Sequence, residues 1–198
     1  LFKSKSLTTI MTKLINCKYR FGMTGTLDGT QTHRLVLEGL FGKVEKVTST
    51  KQLMDKDTLA NLKIKCLVLK HKEEDCKVVK DLKYSDELQY IVTHKTRNDF
   101  ISRLCDKLSG NTLCLYQLVE KHGLVLYNLM KDFDRKVFFI HGGTDTNDRE
   151  KIRAITEEQT NAIIVASYGT FSTGINIRNL HNIVFASPSK SRIRVLQS

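Results

Sequence analysis

A chain of 198 residues, 40% apolar and 27% charged, is long enough to bury one sizeable core or two small ones and has an ordinary globular composition. No run approaches the roughly 18 consecutive apolar residues of a membrane span, and Leu1-Phe2-Lys3-Ser4-Lys5 lacks the apolar stretch of a secretory signal, so a soluble cytoplasmic protein is expected. The formal charge of +11 favours an anionic partner, with nucleic acid first.

The distribution of charge sharpens that expectation. No acidic residue follows Glu158, whereas Arg178, Lys190, Arg192 and Arg194 all do. Cys17, Cys66, Cys76, Cys105 and Cys114 form no C-x-x-C pair and show no zinc-ligand spacing, so buried free thiols are expected. Leu rather than Met at position 1, and a helical pattern over 191–198 that stops without a cap, point to a sequence cut from a longer one.

In chain order, Leu7, Ile10, Met11 and Leu14 share a face and predict a helix over about 4–17. A short strand over 19–23 follows and ends in the turn Thr24-Gly25-Thr26. A second helix is expected over about 30–40, carrying Leu35, Leu37 and Leu40 toward Gly42, and a short one over 51–60. Residues 62–69 alternate as a half-buried strand does. The lysine-rich stretch 70–83 mixes both signs of charge and is expected to be a solvated connector, with a domain boundary near residue 62.

Beyond it, Phe100, Ile101, Leu104, Cys105 and Leu108 make a helical stripe that closes at Gly110. Strands are expected over 112–116, 137–140, 162–166 and 183–186. Between them lie a helix over 119–130, weakened by Gly123, and one running to about 159 behind a capping box of Asn147 and Glu150. A last helix is expected from Ser189 onward. Short, continuously apolar strands separated by helices imply an α/β fold with a parallel sheet buried on both faces, which places chemistry at the carboxyl ends of the strands.

Three such ends carry unusual residues. In Thr24-Gly25-Thr26 a tight turn can aim two hydroxyls at one neighbour, or serve only as a turn. His141-Gly142-Gly143-Thr144 lies between a strand and a helix start, where glycines let backbone N–H groups approach a phosphate. The segment 165–178 strings Ser167, Tyr168, Gly169, Thr170, Ser172, Thr173, Gly174, Asn176 and Arg178 directly after a strand, a composition suited to contact with a polyanion. No G-x-x-x-x-G-K-[ST] phosphate loop, G-x-G-x-x-G fingerprint or H-E-x-x-H pair occurs, and Glu73-Glu74-Asp75 fits a solvated run. The chain alone is not expected to hold Mg-ATP.

Taken in order, these parts resemble the later motifs of superfamily 2 helicases. "YRFGMTGTL" with Thr24-Gly25-Thr26 looks like motif III, 112–117 like motif IV, "HGGTDTNDREKI" like the turn and helix after it, and 167–177 like motif V. Gln197 would open motif VI. The resemblance covers essentially the whole chain and implies RecA-like motor domains: the end of the first over 1–62, and most of the second over 63–198. It also implies ATP and Mg2+ held mainly by residues ahead of Leu1, with nucleic acid crossing both domains on one face.

By the same resemblance, Thr24, Gly25 and Thr26 would couple hydrolysis to domain movement, while Gly174, Asn176 and Gln197 would lie near the nucleotide. His141, Gly142, Gly143, Ser167, Tyr168, Thr170 and Arg178 would meet nucleic acid. Asn176 stands where the family has Asp, exchanging a charged contact for an amide. The implied function is ATP-dependent unwinding or remodelling of branched DNA, namely forks, junctions and R-loops, in recombination, repair and replication. Branched or single-stranded DNA, or an RNA–DNA hybrid, would be the partner. A duplex-DNA translocase of the restriction-enzyme kind shares these motifs. A non-catalytic nucleic-acid-binding α/β module would lack the upstream phosphate loop.

Overall fold

The computed structural model describes residues 5–25, 31–60, 62–171 and 177–189. It divides into two compact units, Leu1–Leu67 and Val68–Ser198.

The first unit contains α1 (Lys5–Lys13), α2 (Gln31–Phe41) and α3 (Thr50–Asp55). Gly42 ends α2 with φ +90°, a conformation glycine adopts without steric cost, and its N–H bonds the Glu38 carbonyl at 2.9 Å. Ser49 caps α3 in a capping box: the Gln52 N–H donates to the serine hydroxyl, and the Ser49 N–H donates to Gln52 Oε1 at 3.0 Å. The helix is shorter than expected because Asp57, at φ 52°, turns the chain after Asp55.

Two expected strands are corrected. Residues 19–23 and 62–69 form no ladder among the described residues, and Phe21, Met23, Ile64 and Val68 are 86%, 99%, 78% and 86% exposed. Alternation records which side chains could share a face. A strand also needs a neighbour for its N–H and C=O groups, and neither segment has one among the described residues.

The second unit opens on α4 (Glu73–Val79), where a connector over 70–83 was expected, and continues into α5 (Tyr84–Thr93), a stretch for which no element was expected. Glu73, Glu74 and Asp75 occupy the first turn of α4, where the amide dipoles favour negative charge. Next come α6 (Lys95–Lys107), β1 (Thr112–Tyr116), a π-helical turn (Val119–Gly123) continuing into α7 (Leu124–Met130), and β2 (Lys136–Ile140). They are followed by α8 (Thr146–Glu158), β3 (Ala162–Ser167), the short α9 (Tyr168–Phe171) and β4 (Asn182–Phe185).

All strand pairs are parallel, in the order β2-β3-β1-β4. Helices cover both faces. On one, Cys114, Tyr116, Ile163 and Val165 pack with Ile101 and Cys105 of α6 and Leu126 and Met130 of α7. On the other, Leu113, Leu115, Ile140, Ile164 and Ala166 pack with Ile152 of α8, Tyr168, Ile177 and Leu180. Alternate residues of each strand serve opposite faces.

The capping residue of α8 is Asp145, which accepts the Asn147 N–H at 2.7 Å, not Asn147 itself. Glu150 turns to Arg153 instead of the backbone, because the oppositely charged side chain three residues on offers a bidentate partner. Cys105 and Cys114 are buried as expected, whereas Cys17, Cys66 and Cys76 are exposed, since the segments that carry them pack against little. A hydrogen bond that the Cys114 thiol donates to Cys105, together with burial, pushes that thiol well up. The helix expected from Ser189 falls on residues 190–198, outside those described.

The amino edge of the sheet is locked by polar side chains. Asn111 Oδ1 accepts the Ala162 N–H at 2.8 Å, and its Nδ2 lies 2.9, 2.6 and 2.7 Å from the carbonyls of Thr156, Gln159 and Asn179. Arg135, leading into β2, donates to the carbonyls of Asp106, Leu108 and Gly110 at 3.0, 3.0 and 2.8 Å, so one guanidinium gathers the carbonyls where α6 ends. Gly110, at φ +84°, has no room for a Cβ, which would sit 2.6 Å from the His181 ring.

Candidate nucleic-acid interface

Because the strands run the same way, their carboxyl ends align. Tyr116 is level with Ser167, Ile140 with Ala166, and Leu115 with Phe185. The loops leaving these ends share one edge of the sheet. They bring together His141, Gly142, Gly143, Ser167, Tyr168 and Thr170.

After β2 the chain closes on itself. His141 N–H donates to Thr144 Oγ1 at 3.0 Å, Thr144 N–H to the His141 carbonyl at 3.0 Å, and Gly143 N–H to His141 Nδ1 at 3.1 Å. His141 Nδ1 is therefore an acceptor, and the ring's hydrogen sits on Nε2. Gly142 and Gly143 are exposed, and a Cβ on Gly142 would meet nothing within 4 Å. Arg149, from α8, donates to the Thr144 carbonyl at 3.1 Å and adds positive charge beside this turn.

After β3, Ser167 and Thr170 are 9% and 7% exposed, and their hydroxyl oxygens lie 2.6 Å apart. Tyr168 is 3% exposed and donates its hydroxyl to the Ser187 carbonyl at 2.8 Å, with its ring against Phe185. Tyr168 thus joins the ends of β3 and β4, and Gly169 is the exposed residue of this turn. Arg178 lies apart from the rest. Its N–H donates to Glu157 at 2.8 Å, and Asn179 is tied to Glu157 and Gln159, which fixes that loop at the amino edge.

Thr24 and Gly25 are exposed in the first unit, with no atom within 4 Å of a Cβ built on Gly25. Thr26, Gly174, Asn176 and Gln197 lie outside the described residues.

The sequence reading missed a polar group at the ends of β1 and β4. Ser187 Oγ accepts the Gln117 N–H at 3.0 Å and shares a hydrogen bond with His122 Nδ1, 2.7 Å away. Arg97, from α6, donates to the Ala186 carbonyl at 2.5 Å. His122 Nε2 and Arg97 Nη1 are both buried without a hydrogen-bond partner. Burial, with the nearby Arg97 charge adding to it, lowers the His122 pKa to about 4, so the ring is neutral at pH 7. Burial also lowers the Arg97 pKa. No sequence spacing connects residues 97, 122 and 187; the β1–β4 pairing brings them together.

A parallel sheet between helical layers, with turns built from hydroxyls and glycines along one edge, is an α/β arrangement that this chain shares with a solved RecA-like helicase. The chain is 34% identical over 197 residues to UvsW, an ATP-dependent DNA helicase of enterobacteria phage T4, an alignment covering 98% of this chain and 39% of that protein. The crystal structure of T4 UvsW matches it with a TM-score of 0.56 and 34% identity, over 63% of this chain and 26% of that one. The chain thus spans about two fifths of the length of this curated relative. No protein-family model matches it. Among the described residues, no helix is long and apolar enough to cross a membrane.

Proposed function

We propose that this chain is part of an ATP-dependent DNA helicase, contributing the end of one RecA-like motor domain over 1–62 and most of a second over 63–198. The observation that carries this reading is 34% identity to a DNA helicase along 98% of the chain. Nucleic acid lies along the carboxyl edge, against the turns that start at His141 and Ser167, and phosphate is the group recognised. The excess of 32 Lys and Arg over 21 Asp and Glu supplies the long-range attraction. The substrate is branched or single-stranded DNA, or an RNA–DNA hybrid, remodelled during recombination, repair and replication in the cytoplasm.

Thr24, Gly25 and Thr26 couple nucleotide turnover to domain movement, and Gly174, Asn176 and Gln197 approach the nucleotide. The residues present do not by themselves fit Mg-ATP, because the 198-residue sequence contains no phosphate loop. ATP and Mg2+ are held mainly by a cradle supplied from outside it. Purified alone, the chain should therefore show no DNA-stimulated ATP hydrolysis above buffer in a coupled phosphate-release assay. Turnover that depends on DNA would overturn that division of labour.

The interface itself is testable by fluorescence anisotropy on labelled single-stranded and forked DNA. Affinity should fall linearly with salt on a double-logarithmic plot. Gly142→Asp and Gly169→Asp each place a carboxylate at an exposed turn of the carboxyl edge, and should weaken binding about tenfold by like-charge repulsion at short range. Thr160→Asp adds the same charge at the amino edge and should leave affinity within about twofold, since separation and screening weaken it. Equal losses in all three variants would show that only net charge matters and would remove the proposed edge.

A further inference from the structure

Away from the strand ends, His71, Asp75 and His94 each present a ligand atom within 4.8 Å of the others. His71 precedes α4, Asp75 stands in its first turn, and His94 forms the joint between α5 and α6. The two imidazoles meet edge to face, with centroids 5.0 Å apart and planes at 89°.

The carboxylate is aimed. Tyr90 donates its hydroxyl to Asp75 Oδ1 at 3.0 Å, leaving Oδ2 directed at His94 Nε2, 3.8 Å away. That gap is too long for a hydrogen bond. Two ligand atoms on one tetrahedral ion, with bonds of about 2.0–2.2 Å, stand roughly 3.3–3.5 Å apart. The Asp75–His94 pair at 3.8 Å therefore needs a small closure, and the three atoms, now within 4.8 Å of one another, draw together on the ion. A hydrogen bond that orients a carboxylate from behind is the usual outer support of a metal ligand.

We propose that His71, Asp75 and His94 bind a divalent transition-metal ion of the zinc class, with water completing the coordination. Two imidazoles and one carboxylate are a donor set that suits zinc, cobalt and nickel over calcium or magnesium. The ion clips the start of α4 to the α5–α6 joint, two places otherwise linked through the Tyr90–Asp75 bond. Binding carries a defined cost at α6. His94 Nδ1 now accepts the Arg97 N–H at 3.3 Å and caps that helix, so Nε2 bears the ring's hydrogen. When Nε2 takes the ion, the hydrogen moves to Nδ1 and the Arg97 amide loses its acceptor, with no net gain or loss of protons.

The test is zinc titration of the intact chain by calorimetry, with cobalt absorption as a second readout. One equivalent of zinc should bind, His71→Ala and Asp75→Asn should each weaken it at least tenfold, and cobalt should give visible ligand-field bands. Asp75→Asn keeps an oxygen for Tyr90, so it separates ligand loss from loss of fold. In nitrogen-15 spectra, zinc should shift the Arg97 amide in the parent chain and leave it in place in His71→Ala. Replacing Cys17, Cys66 and Cys76 with Ser removes the exposed thiols that could compete, and should leave zinc affinity unchanged. Absence of binding, or binding that survives both ligand variants or disappears with the cysteines, would overturn the site.

Discussion

In hydrogen exchange on the intact chain, amides in the middle of β1 and β3 should outlast every described amide before residue 68 by roughly 10³-fold or more. Among the described residues of the first unit not one is buried, and helices α1 and α3 bury no side chain. In the second unit β1 and β3 are buried at every position, and β1 is hydrogen-bonded on both sides. An amide exchanges only when its bond opens, and opening β1 requires dismantling the apolar layers on both its faces. The 10³ ratio corresponds to about 4 kcal/mol of opening free energy, well within what a single small core supplies. Comparable protection in both units would show that the first unit has a core that its side-chain exposure does not reveal.

Gly123→Ala should destabilise the second unit by about 3 kcal/mol in urea unfolding, at the upper end of what overpacking costs. A methyl group there would stand 2.4 Å from two atoms of the Tyr116 ring. That ring cannot step aside: it is wholly buried, lies against Phe139, and donates its hydroxyl to the Ile140 carbonyl at 2.9 Å. Backbone entropy argues the other way, because alanine favours a helix over glycine by about 1 kcal/mol, so a net loss isolates the steric contribution. Adding Tyr116→Leu, which shortens the obstacle, should make the alanine far less costly in the double-mutant background. An alanine that stabilised the protein would mean the helix backbone can shift away from β1.

Gly123 also shows what the sequence could and could not reveal. As a residue inside a helical pattern it looked like a weakness, yet it permits a π-helical turn to press on the strand before it. The four parallel strands were legible because each is a short apolar run buried on two faces, and such runs stand out from the polar loops around them. Two of the three expected strand ends, at His141 and Ser167, were legible for the same reason, as hydroxyl and glycine clusters directly after those runs, whereas Thr24-Gly25-Thr26 follows no strand among the described residues. Residues 19–23 and 62–69 were misread because alternation says nothing about a bonding partner. Helices α4 and α5 were hidden by their surface character: each buries at most one side chain, so charge masked the period. Arg97, His122 and Ser187 were invisible because only strand pairing brings them within reach of one another.

The two edges of the sheet are spent differently. At one, Asn111, Arg135 and Glu157 use their polar atoms on the protein's own carbonyls and amides. At the other, exposed glycines and a buried arginine nitrogen without a partner are left over. Random mutagenesis of this chain should therefore sort by geography: damage on the first rim lowers the yield of folded protein, whereas tolerated changes on the opposite rim alter only what the folded protein can hold.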